Sequence, residues 1–159
     1  MMPQTSIGLR AFCIGAAIVA ASVAGISSAQ APEDVSVLQG QCSSDSGVII
    51  DNEATGFACT NAVMSFHRNN GSVMIQFSGK SEDGRDQILG FVGPMNSRDM
   101  VSIERIYLMP GAQPLTPANR ASACAFMRTG DRLMTVQCRA IAIAQGSTIE
   151  TRVRFILAQ

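Results

Sequence analysis

Between Asn61 and Val92 apolar residues recur at every second position, at Met64 and Phe66 and again at Val73, Ile75 and Phe77, the period of a half-buried β-strand. The alternation is broken at Asn70-Gly71 and again at Asp83-Gly84. Both pairs tolerate positive φ, which tight hairpin turns require. The stretch therefore predicts a meander of three antiparallel strands. A two-residue turn at Asn70-Gly71 sets Asn69 opposite Ser72, Phe66 opposite Ile75 and Met64 opposite Phe77. Met64, Phe66, Val73, Ile75 and Phe77 then share the core face, with Ser65, His67, Met74, Gln76 and Ser78 on the other. A two-residue turn at Asp83-Gly84 sets Ile75 opposite Val92 and Phe77 opposite Gly90, with Ile88 on the core face. Leu89 and Phe91 are then expected on the opposite face, which is accordingly not wholly wet.

The flanking chain reads the same way. Val35, Val37 and Leu38 start a first strand, and Cys42 to Gly47 is a Ser/Asp/Gly turn. Val48-Ile49-Ile50 is a short apolar strand, and Asp51 to Gly56 is an acidic loop. After a connection at Gly93 to Ser97, Met100 to Met109 predicts one strand, with Val101, Ile103, Arg105 and Tyr107 on one face. Pro114 and Pro117 bar the following segment from a central strand. It is either a functional loop or a crossover between sheets. A second hairpin, Ala121 to Ala142, puts Cys124, Phe126, Met134, Val136 and Cys138 on one face. The last strand, Thr148 to Leu157, turns Ile149, Val153, Phe155 and Leu157 inward and Glu150, Arg152 and Arg154 outward. Many short strands with turn signals between them define an all-β fold, a small antiparallel β-sandwich or closed β-barrel.

Residues 1–29 are set apart by composition. Arg10 precedes an unbroken apolar run, Ala11 to Ile26, and small residues follow. This is the order of a secretory signal peptide. The run is shorter than the roughly 20 residues of a spanning helix, and no basic cluster follows it. Cleavage is expected after Ala29, with Ala31 as the other site fitting the small-x-small rule. The residues before Cys13 are not small, which argues against lipidation. Residues 30–159 are then one exported β domain, periplasmic or secreted, of roughly 130 residues.

That domain holds Cys42, Cys59, Cys124 and Cys138, an even set that reads as disulfides in an exported chain. Centring the second hairpin on Asp131 pairs Phe126 with Val136 and Cys124 with Cys138. The remaining pair is Cys42–Cys59. Each bridge closes a loop of roughly 15 residues, stabilising by about 3 kcal/mol in the chain-entropy model. The spacing is not that of a zinc site, and no metal or other cofactor is expected.

The succession CTNAVMSFHRNNGSVMIQF, ILGFVG and IERIYL, followed by a cysteine pair around a hairpin, resembles uncharacterised small exported bacterial proteins with two disulfides. The resemblance spans most of the mature chain. It implies a disulfide-bonded exported β domain and no particular activity.

Catalytic chemistry is sparse. His67 is the lone histidine, and no nucleophile-base motif, phosphate loop or metalloprotease motif accompanies it. Glu82, Asp83 and Asp86 flank a turn, where acids are solvated. The acids of Asp51 to Glu53 lack EF-hand spacing. Methionines such as Met95, Met100 and Met109 recur at strand spacing and fit core filler better than copper ligands.

Charge changes the picture more. From Gln30 to Ser97 three bases face eight acids, and from Arg98 onward eight arginines face four acids. Arg139, Arg152 and Arg154 share outward parity. A guanidinium grips carboxylate or phosphate with a planar fork. These residues form a candidate anion-binding face for an acidic envelope component or acidic protein. Nucleic acid is not an expected partner, because overall charge is neutral. The function expected is a non-enzymatic binding, inhibitory or structural protein of the cell envelope. The alternative is a small periplasmic hydrolase or accessory enzyme using His67 and a nearby carboxylate.

Overall fold

The computed structural model describes residues 34–110, 114–117 and 120–159. The expected signal peptide, residues 1–29, lies outside them. The described chain is all-β, in the order β1 (Asp34–Cys42), β2 (Gly47–Ile50), β3 (Glu53–His67), β4 (Ser72–Ser81), β5 (Asp86–Ser97), β6 (Met100–Ser102), β7 (Arg105–Met109), β8 (Ala123–Thr129), β9 (Arg132–Ala144) and β10 (Ser147–Leu157).

All pairings are antiparallel, and they run round the molecule. β1 pairs with β3, β3 with β4, β4 with β5, β5 with β6, β6 with β8, β8 with β9, β9 with β10, and β10 returns to β1. One sheet thus curls into a near-ring, on the barrel side of the two expected architectures. β2 sits between β10 and β3. A curled sheet leaves few open edges.

Inside the ring, Val73, Ile75, Phe77, Leu89, Phe91, Ile106, Val101, Val136, Val153 and Phe155 are fully buried. The Phe77 ring meets Phe91 edge-on at 6.0 Å and Phe155 at 5.8 Å. Both spacings lie in the favourable range for aromatic pairs.

The turns decide the registers. At the first hairpin His67 is opposite Ser72, so the loop spans 68–71 and the register moves by two residues from the expected one. Phe66 faces Val73, Met64 faces Ile75 and Ala62 faces Phe77. A shift of two keeps every side chain on its face. Here Gly71 takes positive φ, while the Asn70 side chain accepts the Ser72 N–H at 2.9 Å. A two-residue turn with both residues at positive φ occurs instead at Asp51-Asn52, φ 48° and 76°, closing β2 onto β3. Glu53 to Gly56, expected as loop, therefore belongs to β3.

At the second turn the register moves by one, and the faces of β5 invert. Ser81 accepts from Gly84 N–H and donates its own to Arg85, which closes a loop over Glu82, Asp83 and Gly84 with Gly84 at φ 79°. Phe77 consequently faces Leu89, and Ile75 faces Phe91. Leu89 and Phe91 are core, and Gly90 lies opposite Gln76 on the outer face. A three-residue hairpin with a left-handed glycine at its end is a standard solution. It has opposite parity to the two-residue turn expected from Asp83-Gly84.

The expected single strand over Met100 to Met109 is two. β6 pairs with the end of β5 and with β8, whereas β7 pairs with the middle of β5. The alternation changes phase at the break: Val101 and Ile103 are buried before it, and Ile106 rather than Arg105 after it. Gly93 makes the passage possible. A Cβ there would lie 1.7 Å from the Ser102 carbonyl oxygen. The proline segment acts as a cover, bridging Leu115 to Ile106 of β7 and Pro117 to Ala142 of β9.

Candidate functional site: the outer face of the last hairpin

β9 and β10 form a long two-stranded ladder from Thr135–Ile156 to Ala144–Ser147. Buried Cys138, Ala140, Ala142, Thr151, Val153 and Phe155 point inward. The Thr151 hydroxyl donates to the Ala140 carbonyl at 3.3 Å, so this polar group enters the core with a partner. Alternation then obliges Gln137, Arg139, Glu150, Arg152 and Arg154 to face out. All three arginines expected on an outward face are there.

Arg139 and Arg152 are direct cross-strand partners, and Arg154 lies opposite Gln137. Two guanidinium groups at this spacing repel. Glu150 sits between them: its Oε1 accepts from Arg139 Nε at 2.7 Å and from Arg152 Nε at 2.6 Å. The Arg152 hydrogen bond, followed by that of Arg139, holds the Glu150 carboxyl below its ordinary value despite desolvation. Glu150 in turn raises the Arg152 pKa. The Arg154 guanidinium makes no ion pair among the described residues. Asp45, in the turn after β1, feels the charges of Arg154 and Arg152. Its carboxyl is lowered chiefly by the Ser43 hydroxyl and by its own backbone amide. Three cations thus share one tightly held carboxylate and one looser neighbour.

Arg68, Arg85, Arg98 and Arg128 each pair with an aspartate, whereas Arg105, Arg120 and Arg132, like Arg154, make no ion pair among the described residues. Arg128 pairs with Asp99 at 2.9 Å and Arg98 with Asp131 at 2.7 Å, tying the β8–β9 tip to the β5–β6 turn. Lys80 pairs with Asp86 and Arg85 with Asp83 around the β4–β5 turn. Each of these pairs stays within its own half of the chain, so the charge asymmetry is not consumed by ion pairing between the halves.

The disulfides are Cys42–Cys59 and Cys124–Cys138, with Cα separations of 5.0 and 4.0 Å. They place the domain in an oxidising, non-cytoplasmic compartment. No helix of the described residues is long and apolar enough to cross a membrane. His67 ends β3 on the outward face, and no hydrogen bond or ion pair among the described residues joins its ring to a carboxylate. Glu82 and Asp83 are exposed turn residues, and Asp86 is the exposed first residue of β5. Asp51, expected in an acidic loop, accepts the Thr148 N–H at 2.8 Å and so ties the β2–β3 turn to β10. Among the described residues no cluster of three metal-ligating side chains occurs.

The outward position of Glu150 was in the sequence pattern; its bridging of two arginines and the groove beside them were not. Glu150 shares outward parity with Arg152, an i, i+2 relation that signals the pair on a strand. A groove beside Arg152, floored by Gly47 and Gly56, depends on β2 lying between β10 and β3, which no local pattern reveals. The chain matches no known family model, no curated protein and no solved structure.

Proposed function

We propose that this is a non-enzymatic binding domain of the periplasm or the secreted fraction, recognising an anionic envelope component or acidic protein through Arg139, Arg152 and Arg154. The observation that carries this reading is the cross-strand Arg139–Arg152 pair, extended by Arg154 and neutralised, among the described residues, by Glu150 and, more weakly, Asp45. Like charges set opposite each other cost stability. An anion relieves that cost and gains charge-assisted hydrogen bonds.

The test is titration of the exported protein with anionic lipid vesicles, lipopolysaccharide and an acidic glycan, at low and moderate salt. Binding to at least one of these, weakened by salt and by Arg152→Ser/Arg154→Ser, supports the reading. Exposed charges are screened over about 8 Å at physiological ionic strength, so salt sensitivity is the expected signature. Absence of binding at low salt, or equal binding by the double variant, overturns it.

A further inference from the structure

Arg139, Arg152, Gly47 and Gly56 are successive partners across β9, β10, β2 and β3, so they form one row over the sheet. Adjacent strands are about 4.8 Å apart, which makes the row roughly 14 Å long. Its glycine half is bare backbone. Gly47 admits no side chain, because a Cβ there would lie 2.4 Å from the Thr55 carbonyl oxygen. Gly56 is different: it is exposed, and a Cβ there would meet nothing within 4 Å. The open space over Gly56 continues past Gly47 to Arg152 as a groove of about 500 Å³.

The charged lining of this groove is Arg152 against Asp45 and Glu82. Arg152 spends its Nε on Glu150, which leaves the fork of terminal nitrogens. Glu82 makes no ion pair among the described residues. Arg154 as well as Arg152 acts on Asp45, so the lining admits a single anionic group at Arg152, and a second close to it would be repelled by Glu82. The same acids are good acceptors for hydroxyl donors. Ser44 adds a further hydroxyl. At this level β2 is hydrogen-bonded on both sides, so the floor gives an extended peptide no free strand edge to extend.

We infer that the groove binds a hydroxylated monocarboxylate, the chemistry of a uronic-acid unit in a sparsely charged glycan, with the carboxylate on Arg152 and ligand hydroxyls on Asp45 and Glu82. This deepens the anion-binding reading and rests on it. It also narrows that reading, since a densely charged polymer would meet Asp45 and Glu82.

The experiment is a titration of the isotopically labelled exported protein with sodium glucuronate, followed through the backbone amides of Gly47 and Gly56. Acetate and glucose are run as controls. The expected result is saturable shifts at both glycines, with glucuronate at least about tenfold tighter than either control, the scale of one charge-assisted contact. Arg152→Gln should weaken glucuronate about tenfold. Gly56→Leu fills the groove at a position with room for a side chain and leaves all three arginines in place. It should abolish the glucuronate response while vesicle binding at the arginines persists. Equal response to acetate, or glucuronate binding unchanged in Gly56→Leu, overturns the groove assignment and leaves the broader reading standing. Loss of all anion binding by the unmodified protein removes both. Thermal melts of each variant separate a filled groove from an unfolded chain, and Arg152→Gln tests the same site if Gly56→Leu does not fold.

Discussion

Arg139 stands directly across from Arg152, and a single oxygen of Glu150 accepts a hydrogen bond from each. The arrangement turns a repulsive cross-strand pair into a three-member network. It holds the two guanidinium groups close together while leaving their terminal nitrogens toward solvent. The carboxylate therefore maintains the face that the arginines present.

Replacing that carboxylate should have two opposite effects. Glu150→Gln is expected to cost on the order of 1 kcal/mol or less, the scale of partly exposed ion pairs. It should also strengthen anion binding at low salt, because the face gains a net positive charge. Chemical denaturation and vesicle titration of the same variant measure both. Weaker anion binding with an intact fold would show that Glu150 positions the arginines more than it neutralises them.

Glu150 also sets a pH dependence. Its carboxyl lies below the ordinary 4.5 in the folded chain. A depressed folded value means that the stabilisation is present above the unfolded value and is lost as pH falls through the folded one. Stability should thus decline below about pH 4.5, with a smaller decline in Glu150→Gln. Denaturant midpoints at pH 6 and pH 3 in both proteins check this expectation. Identical pH profiles would remove Glu150 from the acid response.

The β4–β5 register has a direct test. Leu89 is fully buried opposite Phe77, so Leu89→Ala should cost about 2–5 kcal/mol and Phe77→Ala about 3–5 kcal/mol. Gln76→Ala, on the outer face, should cost under about 0.5 kcal/mol. A Leu89→Ala cost as small as that of Gln76→Ala would restore the other register.

Removing the hairpin bridge with Cys124→Ala/Cys138→Ala should cost about 3 kcal/mol, because the cysteines are separated by 14 residues. Unreduced peptide mapping should return Cys42–Cys59 and Cys124–Cys138. A crossed pairing would overturn both the bridge assignment and the β8–β9 register.

Gly93→Ala should destabilise by about 1–3 kcal/mol or more, since its Cβ would collide with the Ser102 backbone where β6 and β7 part. Gly56→Ala should be nearly neutral, because its outer side is open. Thermal melts compare the two. Equal costs would mean that the β6–β7 break is looser than the structure shows.

Parity along each strand was legible before folding, because side-chain alternation is a local property of the extended backbone. It grouped Met64, Phe66, Val73, Ile75 and Phe77 on the core face and paired Cys124 with Cys138. It also turned Arg139, Arg152 and Arg154 outward. The β8–β9 register agrees at Phe126–Val136 and at the cysteines, although a bulge at Met127/Arg128 shifts the last pairs before the tip. Turn length was less legible. Asn70-Gly71 and Asp83-Gly84 both suit a two-residue turn, yet the hydrogen bonds that Asn70 accepts from Ser72 and that Ser81 exchanges with Gly84 and Arg85 lengthen them by different amounts. One change preserves the faces, and the other moves Leu89 and Phe91 into the core. The break between Val101 and Ile106 was hidden for a related reason: β5 is long enough to pair with two successive strands, a relation no local window contains. Closure of the sheet did the rest. Only when β10 lies beside β2 and β2 against β3 do Arg152, Gly47 and Gly56 fall into one row, because a site built across strands is set by their order round the ring and not by any one strand's own sequence.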